Sequence, residues 1–475
     1  MKKIAVIPID NRPICYTLLE QICAIDSNIK LHLPPRDFLG GLTEPANVEE
    51  ILAWLKNLPE VDNLIISLDT IAYGGLVSSR RSPEDYSKIA QRLELFKGVV
   101  KNKAEKVLAF SSIMRISNNN INEEEKEYWN LWGTRIFEYS YYLHKSEVMQ
   151  SANCVYNKVP SEILEDYIKT RERNFNINKI YLDWLDENIL DYLVYSKDDS
   201  GEYGLNIKEA RELSRMINER DLNASVRTGA DEIPLGLLSR ALGETKKIKL
   251  APVYLENAKS SLSAISKYED VSVTDCVSGQ LKLAGVEAAA LENADVVMFV
   301  NNFQTEQGDL VLGDRVNFIR QDVFRKFKKM LKLMKKPYCI ADINNANGAD
   351  SNFIYYFLQS LPDKDFYGYA GYNTSANTIG CAICTAVVKY LAVSYNENAF
   401  KKLQFIRLMD DWAYQANVRK GVREAGPDFK DGLEKSKGKL SGFEKRTGEV
   451  LGISFNDVQY SLPWNRSFEI EIKVN

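Results

Sequence analysis

Short apolar segments alternate with helix-period segments along most of the chain, and this alternation is the strongest constraint on its fold. Turn-forming Gly, Asn, Asp and Ser residues bound each apolar segment, as they bound buried parallel strands. Strands that alternate with amphipathic helices predict an α/β protein with right-handed crossovers. Ten segments are predicted as strands, at residues 4–9, 29–34, 64–68, 106–112, 191–196, 224–229, 248–255, 295–300, 338–343 and 366–372.

Ten strands are more than a plain eight-stranded barrel contains. The sequence therefore predicts an α/β fold that is either barrel-like or a doubly wound parallel sheet, with a second α/β part. Residues 117–190 are rich in Tyr and Trp and have a helical pattern, so they are predicted to be an inserted helical excursion. We expect an N-terminal α/β part at 1–245, a second α/β part at 246–395, and a helical part with a short β ending at 396–475.

Charge and composition exclude several classes of function. The 61 Lys and Arg residues against 65 Asp and Glu residues give a net charge of -4, which is not the basic footprint of a nucleic-acid binder. His32 and His144 are the only histidines, so a three-histidine metal site is impossible. Neither a GxGxxG nor a GxxxxGK[ST] loop occurs, and there is no GxSxG elbow. Any chemistry must rest on carboxylates, amides, hydroxyls, Arg and Tyr.

The start of the chain and the cysteines indicate a soluble, cytoplasmic protein with no membrane partner. The opening MKKIAVIPID is apolar over a shorter stretch than the roughly 7–15 residues of a secretory core. No segment reaches the roughly 18 uncharged apolar residues of a membrane helix. Seven cysteines fit a reducing compartment. Cys381 and Cys384 form a CxxC within an apolar helical run, and we interpret them as buried.

Polar side chains follow nearly every predicted strand, where α/β folds bind their ligands. Helix caps and turns explain one Asp, Asn or Ser at each junction, but they do not explain arginines such as Arg80. A ring of carboxylate, amide, guanidinium and phenol groups suits a polyhydroxylated or carboxylate ligand. The predicted substrate-binding residues are Asp10, Asn11, Arg12, Arg36, Asp69, Tyr73, Arg115, Asp231, Asp342, Asn345, Asn373 and Asn377.

The adjacent carboxylates Asp198 and Asp199 at a strand end are the predicted catalytic residues. Two carboxyl groups that share a site raise the pKa of one of them, which can then act as a general acid. A helix cap followed by a solvated acidic turn explains the same pair equally well. Asp410 and Asp411 lie in a helical pattern and are predicted to form a salt-bridged helix face.

Eight segments resemble a bacterial domain-of-unknown-function family, DUF 4127, and they are spread over essentially the whole chain. The segments are PIDNRP, SLDTIAYGGLVSSR, SKDDSGEYG, TGADE, ADINNANGAD, AGYNTSANTIG, RLMDDWAYQ and LPWNRSFE. The resemblance implies no established activity. The segments that carry it are the strand-end loops already selected for their polar residues.

The layout of SKDD, ADINNANGAD and AGYNT is also similar to that of hexosaminidase-type barrels with an adjacent Asp pair. In such enzymes the N-acetyl oxygen of the substrate is the nucleophile, and the carboxylates orient the acetamide and transfer the proton. The similarity implies that Asp198 polarises the acetamide and Asp199 protonates the leaving oxygen, or the reverse. The strand lacks the Trp that usually precedes the pair.

We therefore expect a glycoside hydrolase, N-acetylhexosaminidase-like by this similarity, that acts on a small sugar or glycoside without a metal or cofactor. One alternative is a Mg²⁺-dependent or other carboxylate-based hydrolase or lyase, in which Asp10, Asp69 and Asp342 hold the cation. The other is a non-catalytic protein that binds a sugar or a carboxylate. The expected partner is a small molecule, and assembly into a homo-oligomer stays open.

Overall fold

The computed structural model describes residues 1–150, 159–198, 201–313, 320–361, 363–426 and 428–474. These residues form two compact units. Unit 1 consists of Met1–Asn11 and Lys30–Pro234, and unit 2 consists of Arg12–Ile29 and Leu235–Asn475. Each unit has its own parallel sheet, so the predicted α/β class is confirmed.

The strands, in chain order, are β1 (Lys2–Ile7), β2 (Ile29–His32), β3 (Val61–Ser67), β4 (Ala104–Ile113), β5 (Tyr192–Lys197), β6 (Ala224–Thr228), β7 (Lys249–Tyr254), β8 (Glu287–Ala288), β9 (Val296–Asn301), β10 (Gly308–Asp309), β11 (Tyr338–Asp342), β12 (Asn345–Ala346), β13 (Phe366–Ala370), β14 (Val458–Ser461) and β15 (Glu471–Val474). All ten predicted strands are present. The two-residue strands were not predicted, because they are too short to carry a periodic pattern.

The helices, in chain order, are α1 (Thr17–Cys23), α2 (Val48–Asn57), α3 (Leu68–Tyr73), α4 (Leu76–Arg81), α5 (Tyr86–Val100), α6 (Trp129–Met149), α7 (Ser161–Asp186), α8 (Leu205–Glu219), α9 (Ile233–Leu242), α10 (Lys259–Ser263), α11 (Val273–Leu283), α12 (Gln321–Met334), α13 (Ser351–Leu358), α14 (Ser375–Leu391), α15 (Glu397–Arg407), α16 (Arg419–Glu424) and α17 (Phe429–Leu451). A π-helix, Leu408–Val418, connects α15 to α16. Short 3₁₀ turns lie at Arg36–Leu39, Leu291–Asn293 and Pro463–Asn465.

The sheet of unit 1 has the strand order β2-β1-β3-β4-β5-β6. Strands β3 to β5 are apolar without alternation, because helices cover both faces of the sheet. In this sheet β2 pairs with one edge of β1, and β3, the next strand along the chain, pairs with the opposite edge of β1. In doubly wound folds, ligands bind where the strand order reverses in this way, which here is at the carboxyl ends of β1 and β3.

The sheet of unit 2 has the strand order β13-β11-β9-β7-β8. Its strand order also reverses after the first strand, between β7 and β9. All six residues of β9 are buried, so it is the centre of this sheet. In the described parts of the chain both sheets are open, which favours the doubly wound form of the prediction over the barrel-like form.

The predicted helical excursion at 117–190 contains the long helices α6 and α7 of unit 1. Trp129, Ile136 and Tyr167 form a separate hydrophobic cluster between these helices. In unit 2, the N-terminal segment Arg12–Ile29 is joined to residues far along the chain, because Asp26 accepts hydrogen bonds from the backbone N–H groups of Val393 and Ser394 at 3.1 and 2.9 Å. Across the ranges given above, no helix has both the length and the apolar character needed to cross a bilayer.

Gly74 ends α3 in the left-handed conformation, with φ of +87°. A Cβ at this position would lie 2.7 Å from the Cβ of Pro45 and 2.9 Å from the backbone N of Ala46. We expect Gly74→Ala to lower the free energy of unfolding by about 1–3 kcal/mol, through backbone strain and this clash. Urea denaturation measures the change.

Gly98 provides the matched control, because it lies within α5 and no atom is within 4 Å of the place that a Cβ would occupy there. Gly98→Ala is expected to leave stability unchanged or to raise it by up to about 1 kcal/mol. Equal effects of the two substitutions would contradict the role assigned to Gly74.

Candidate functional site

Two arginines and three carboxylates form an ion cluster beside the carboxyl ends of β4 and β5 in unit 1. The Oδ2 atom of Asp198 lies 3.3 Å from Nη1 of Arg115 and 3.5 Å from Nη2 of Arg80. Oε1 of Glu125 lies 3.1 Å from Nε of Arg115 and 3.2 Å from Nη1 of Arg80. Glu124 contacts the same two arginines at 2.9 and 3.4 Å. We call these five residues the arginine cluster.

The arginine cluster has a buried side and a side that solvent reaches. The side chains of Arg80 and Glu125 are 1% and 4% exposed, whereas those of Arg115 and Asp198 are 16% and 24% exposed. Each carboxylate contacts both guanidinium groups, so the charges of the buried side are neutralised within the cluster. A ligand that approaches from solvent would meet Asp198 and Arg115 first.

Asp69 is buried where β3 passes into α3. Ser67 caps this helix by accepting a hydrogen bond from the backbone N–H of Thr70 at 3.2 Å, and the Thr70 hydroxyl donates to the carbonyl of Pro8 at 2.6 Å. These bonds fix α3 to the end of β1, at the point where the strand order reverses. The Oδ2 atom of Asp69 accepts a hydrogen bond from the backbone N–H of Ser112 at 2.7 Å.

Burial raises the pKa of Asp69 to about 7, although the hydrogen bonds from Ser112 and the charge of Arg80 act in the opposite direction. The carboxyl group is only 1% exposed, and the charged form is therefore poorly solvated. Arg80, whose positive charge lowers the pKa of Asp69, is a member of the arginine cluster, so Asp69 interacts electrostatically with that cluster. A carboxyl group with a pKa near neutrality can hold or release a proton under physiological conditions.

Two tyrosine hydroxyl groups are buried in the surroundings of Asp69. The hydroxyls of Tyr73 and Tyr181 have no hydrogen-bond partner among the described residues. Burial and the negative charge of Asp69 raise the pKa of both phenols, so both stay protonated. Most buried hydroxyls in proteins are paired with protein groups or water. The pair therefore offers two hydrogen-bonding groups to a small polar molecule beside Asp69.

The other predicted residues of unit 1 lie after β1, β2 and β6. The Arg36 Nε–H donates to the carbonyl of Asn11 at 2.8 Å, and the Asn11 side chain donates to the carbonyl of Gly40. Asp10 and Asp231 are buried after β1 and β6 respectively. Asp199, the second predicted catalytic residue, lies outside the described residues.

In unit 2, Asp342 at the end of β11 is the centre of a buried hydrogen-bond network. Its Oδ1 accepts from Nδ2 of Asn301 at 2.8 Å, and its Oδ2 accepts from the backbone N–H of Asp350 at 2.8 Å and from the Tyr369 hydroxyl at 3.0 Å. Burial and the nearby charge of Asp350 raise the pKa of Asp342 to about 7. Oδ2 of Asp350 is in turn 3.2 Å from Nη2 of Arg320.

The π-helix places a second buried acidic pair in unit 2. Arg407 contacts Asp410 at 2.9 Å and Asp411 at 3.3 Å, and Oδ2 of Asp411 accepts from the backbone N–H of Gly371 at 2.7 Å. Burial raises the pKa of Asp411 to about 7, despite the opposing charge of Arg407. The predicted ion pairs of this segment are present, but they are buried rather than on an exposed helix face.

The amide residues predicted in unit 2 lie in the segments after β11 and β13, with Asn345 in β12, Asn373 in a loop and Asn377 in the first turn of α14. These segments meet, because the backbone N–H of Asn347 donates to the carbonyl of Asn373 at 2.9 Å. The side-chain oxygens of Asn345 and Asn377 are buried and have no partner among the described residues. Arg12 also belongs to unit 2, where it forms an ion pair of 3.1 Å with Glu469 near the C-terminal hairpin.

Several members of these clusters were not predicted from the sequence. Glu124 and Glu125 belong to the acidic run NEEEKEY, which has no strand before it and looks like a solvated surface. Asn301 does follow a predicted strand, so its position at a strand end is the signal that would have found it. Arg320 and Arg407 carry no local signal, because only the packing of distant segments brings them to the carboxylates.

In the part of the chain that the structure describes, no cluster of side chains suits metal binding or thiol chemistry. No group of three or more His, Cys, Asp or Glu side chains there is arranged to hold a metal ion. Cys381 and Cys384 are both buried and free, and burial raises the pKa of Cys381 to about 12. These thiols are therefore protonated and unreactive at neutral pH.

Asp69→Asn is expected to change the pH dependence of stability. Because folding raises the pKa of Asp69 from 3.8 to about 7, its stabilising contribution is complete below the lower value and is lost as the pH rises to the higher one. The stability of the wild type relative to Asp69→Asn should therefore fall by about 1.4 kcal/mol per pH unit between about pH 4 and pH 7. Urea denaturation at several pH values measures this difference, and parallel curves for the two proteins would contradict the assignment.

Arg407→Met is expected to lower the free energy of unfolding by about 3–5 kcal/mol, because it leaves two buried carboxylates without their cation. Lys401→Met is the control, since Lys401 pairs with the exposed Glu397 at 2.9 Å. The control should cost far less than Arg407→Met, because an exposed ion pair contributes little to stability. Chemical denaturation compares the two variants, and similar losses would argue against a structural role for the pairs of Arg407.

Comparison with known proteins identifies the chain through its sequence family. No curated protein and no solved structure matches it. Residues 4–473 match the family described as "Protein of unknown function (DUF4127)". The match spans nearly every segment described above, including the strand ends of both units and the π-helix. The chain is therefore a member of the DUF4127 family.

Proposed function

We propose that unit 1 carries the active site of a glycoside hydrolase, with Asp69 as the proton-transferring group and Asp198 as the second carboxylate. One observation carries the proposal: a buried carboxyl group with a pKa of about 7 adjoins, through Arg80, an ion cluster whose Asp198 is partly exposed. Glycoside hydrolysis needs two carboxyl groups in different environments, one that can carry a proton and one that is ionised.

Asp69 suits the role of general acid. Its protonated form would donate its proton to the glycosidic oxygen as the bond to the anomeric carbon breaks. Water would then add its hydroxyl group to that carbon and return its other proton to the Asp69 carboxylate, which accepts a hydrogen bond from the N–H of Ser112. That hydrogen bond stabilises the charged form after transfer. The hydroxyls of Tyr73 and Tyr181 supply groups that can hold a sugar hydroxyl or a water molecule near it.

Asp198 suits the role of the second carboxylate, which faces the oxocarbenium-like transition state. Arg80 and Arg115 hold its side chain in place from two directions. A positive charge that develops on the sugar ring would be stabilised by a carboxylate that is already oriented, without reorganisation at the moment of reaction. Arg115 is also partly exposed, and it can bind an anionic or hydroxyl substituent of the substrate.

The test uses the purified full-length chain and a panel of p-nitrophenyl glycosides. Asp69→Asn and Asp198→Asn are expected to lower kcat/KM by about 10²–10⁴-fold on the substrate that the wild type cleaves. A plot of kcat/KM against pH should change slope near pH 7 for the wild type, and this change of slope should be absent for Asp69→Asn. Circular dichroism and thermal melting establish that each variant is folded.

Asp191→Asn is the matched control. Asp191 lies beside the amino end of β5, where it pairs with Lys106 at 2.9 Å, and it is far along the strand from Asp198. Its substitution should leave kcat/KM within about twofold. A wild type that cleaves no member of the panel, or an Asp69→Asn variant with wild-type rates, would overturn the proposal.

Non-catalytic binding of a sugar or carboxylate is the second candidate, and the burial of Asp69 favours it. A side chain that is 1% exposed can contact a bulky substrate only after the surrounding loops move. Under this candidate, sugars or sugar acids would raise the melting temperature with no turnover of any glycoside. Substitution of Asp198 or Arg115 would abolish that shift.

We also propose that the protein works in the cytoplasm. The proposal is supported by the six cysteines that the structure describes, which are buried thiols rather than members of disulfides. A reducing compartment keeps cysteines in this state.

A further inference from the structure

A cavity of about 520 Å³ lies among α6, α7 and α8 in the helical excursion of unit 1. It is lined by the apolar side chains of Val148, Phe175 and Leu205, and by His144 and Arg211. Its volume is within the range of about 300–1,000 Å³ that is typical of small-molecule sites. None of its lining residues belongs to the arginine cluster or to the surroundings of Asp69.

The hydrogen bonds of His144 fix which ring nitrogen carries the proton. The backbone N–H of Gly204 donates to Nδ1 of His144 at 3.1 Å. A backbone N–H can only donate, so Nδ1 must present its lone pair, and the neutral ring carries its hydrogen on Nε2. Burial and the charges of Arg211 and Lys208 lower the pKa of His144, against the opposing charge of Glu147, so the ring is neutral at pH 7.

The Nε2–H of His144 therefore faces a second donor. Nη1 of Arg211 lies 3.4 Å from Nε2, and a guanidinium group has no acceptor. Two N–H donors at this distance do not form a hydrogen bond with each other. They are placed to share one acceptor, and an anion satisfies both of them while it neutralises the arginine.

Arg211 also differs from the other cations of the cavity. Lys208 is 2.8 Å from Glu147, and Arg215 pairs with Glu212 and Glu219 at 2.7 and 2.6 Å. Arg211 has no carboxylate partner among the residues that the structure describes. No carboxylate of the described residues therefore neutralises the charge of Arg211, and an anionic ligand in the cavity can do so.

We propose that this cavity binds an organic monocarboxylate, whose head group accepts hydrogen bonds from Nε2 of His144 and from the guanidinium of Arg211. The apolar body of the ligand packs against Val148, Phe175 and Leu205. The charged lining residues favour a single negative charge, because the acidic side chains Glu147, Glu209 and Glu212 would repel a dianion such as phosphate. Glu147 and Glu212 pair with Lys208 and Arg215 of the cavity lining, and Glu209 pairs with Arg171 at 2.6 Å. Arg211 is therefore the lining cation that has no carboxylate partner among the described residues.

Isotope-labelled histidine provides a direct readout, because the chain has only two histidines. The full-length protein is titrated with octanoate or 4-phenylbutyrate, with the neutral amide of 4-phenylbutyrate and with inorganic phosphate. We expect saturable shifts of the His144 ring signals with the carboxylates and none with the amide. The bound carboxylate should also raise the pKa of His144, since it favours the imidazolium form more than Glu147 alone does.

Arg211→Gln should weaken carboxylate binding by at least about tenfold. Arg215→Gln is the matched control, because Arg215 lines the same cavity but already has two carboxylate partners, and it should leave affinity within about twofold. His144→Asn keeps an acceptor for the N–H of Gly204, but its shorter side chain places no donor at the position of Nε2, so it should weaken binding without unfolding α6 and α8.

Three results would overturn the proposal: no saturable response to either carboxylate, tighter binding of phosphate than of the carboxylates, or equal losses in Arg211→Gln and Arg215→Gln. These results are independent of glycoside hydrolysis, because no variant touches Asp69 or Asp198.

Discussion

Charges buried at the carboxyl ends of parallel strands shape both units of this protein. A carboxylate that is taken out of water loses several kcal/mol of hydration, which neighbouring cations and N–H groups must offset. In unit 1, Arg80 and Arg115 provide the cations for Asp198. In unit 2, Arg320 and Arg407 do the same for Asp350 and the acidic pair of the π-helix. The loops at these strand ends are therefore held by ion pairs as well as by apolar packing.

Three buried carboxylates titrate near neutrality, and none of them has an arginine to itself. Asp69 and Asp342 accept hydrogen bonds but contact no guanidinium group of the described residues, and Asp411 shares Arg407 with Asp410. Burial raises the pKa of all three to about 7. In these three groups the effect of burial outweighs the hydrogen bonds and charges that favour the ionised form. Among the three, the pKa of Asp69 is also lowered by the charge of Arg80, and Arg80 contacts the partly exposed carboxylate of Asp198. The proposed function rests on Asp69 for this reason.

The sequence predicts much of this architecture and part of the cluster chemistry. The ten predicted strands are all present, and those that are buried along most of their length, such as β3, β5 and β9, are continuous apolar runs. The arginines in the segments that follow predicted strands are also visible, since neither capping nor turn formation explains Arg80 or Arg115. Glu125 and Arg407 are not predictable, because their partners are distant in sequence and only tertiary packing brings them together. The donor pair of His144 and Arg211 is hidden for the same reason, since it depends on how α6 packs against α8.

The discontinuity of the two units has a consequence for synthesis of the chain. Arg12–Ile29 leaves the ribosome long before Val393 and Ser394, the backbone partners of Asp26, because these are made hundreds of residues later. Unit 1 must therefore assemble its sheet while this segment loops out from between β1 and β2. The apolar side chains of Arg12–Ile29 stay exposed until the rest of unit 2 has been made, and chaperones recognise exposed apolar surfaces of this kind. Cutting the chain at one point cannot release either unit intact, so a shortened protein that keeps one whole unit has to join two separate segments.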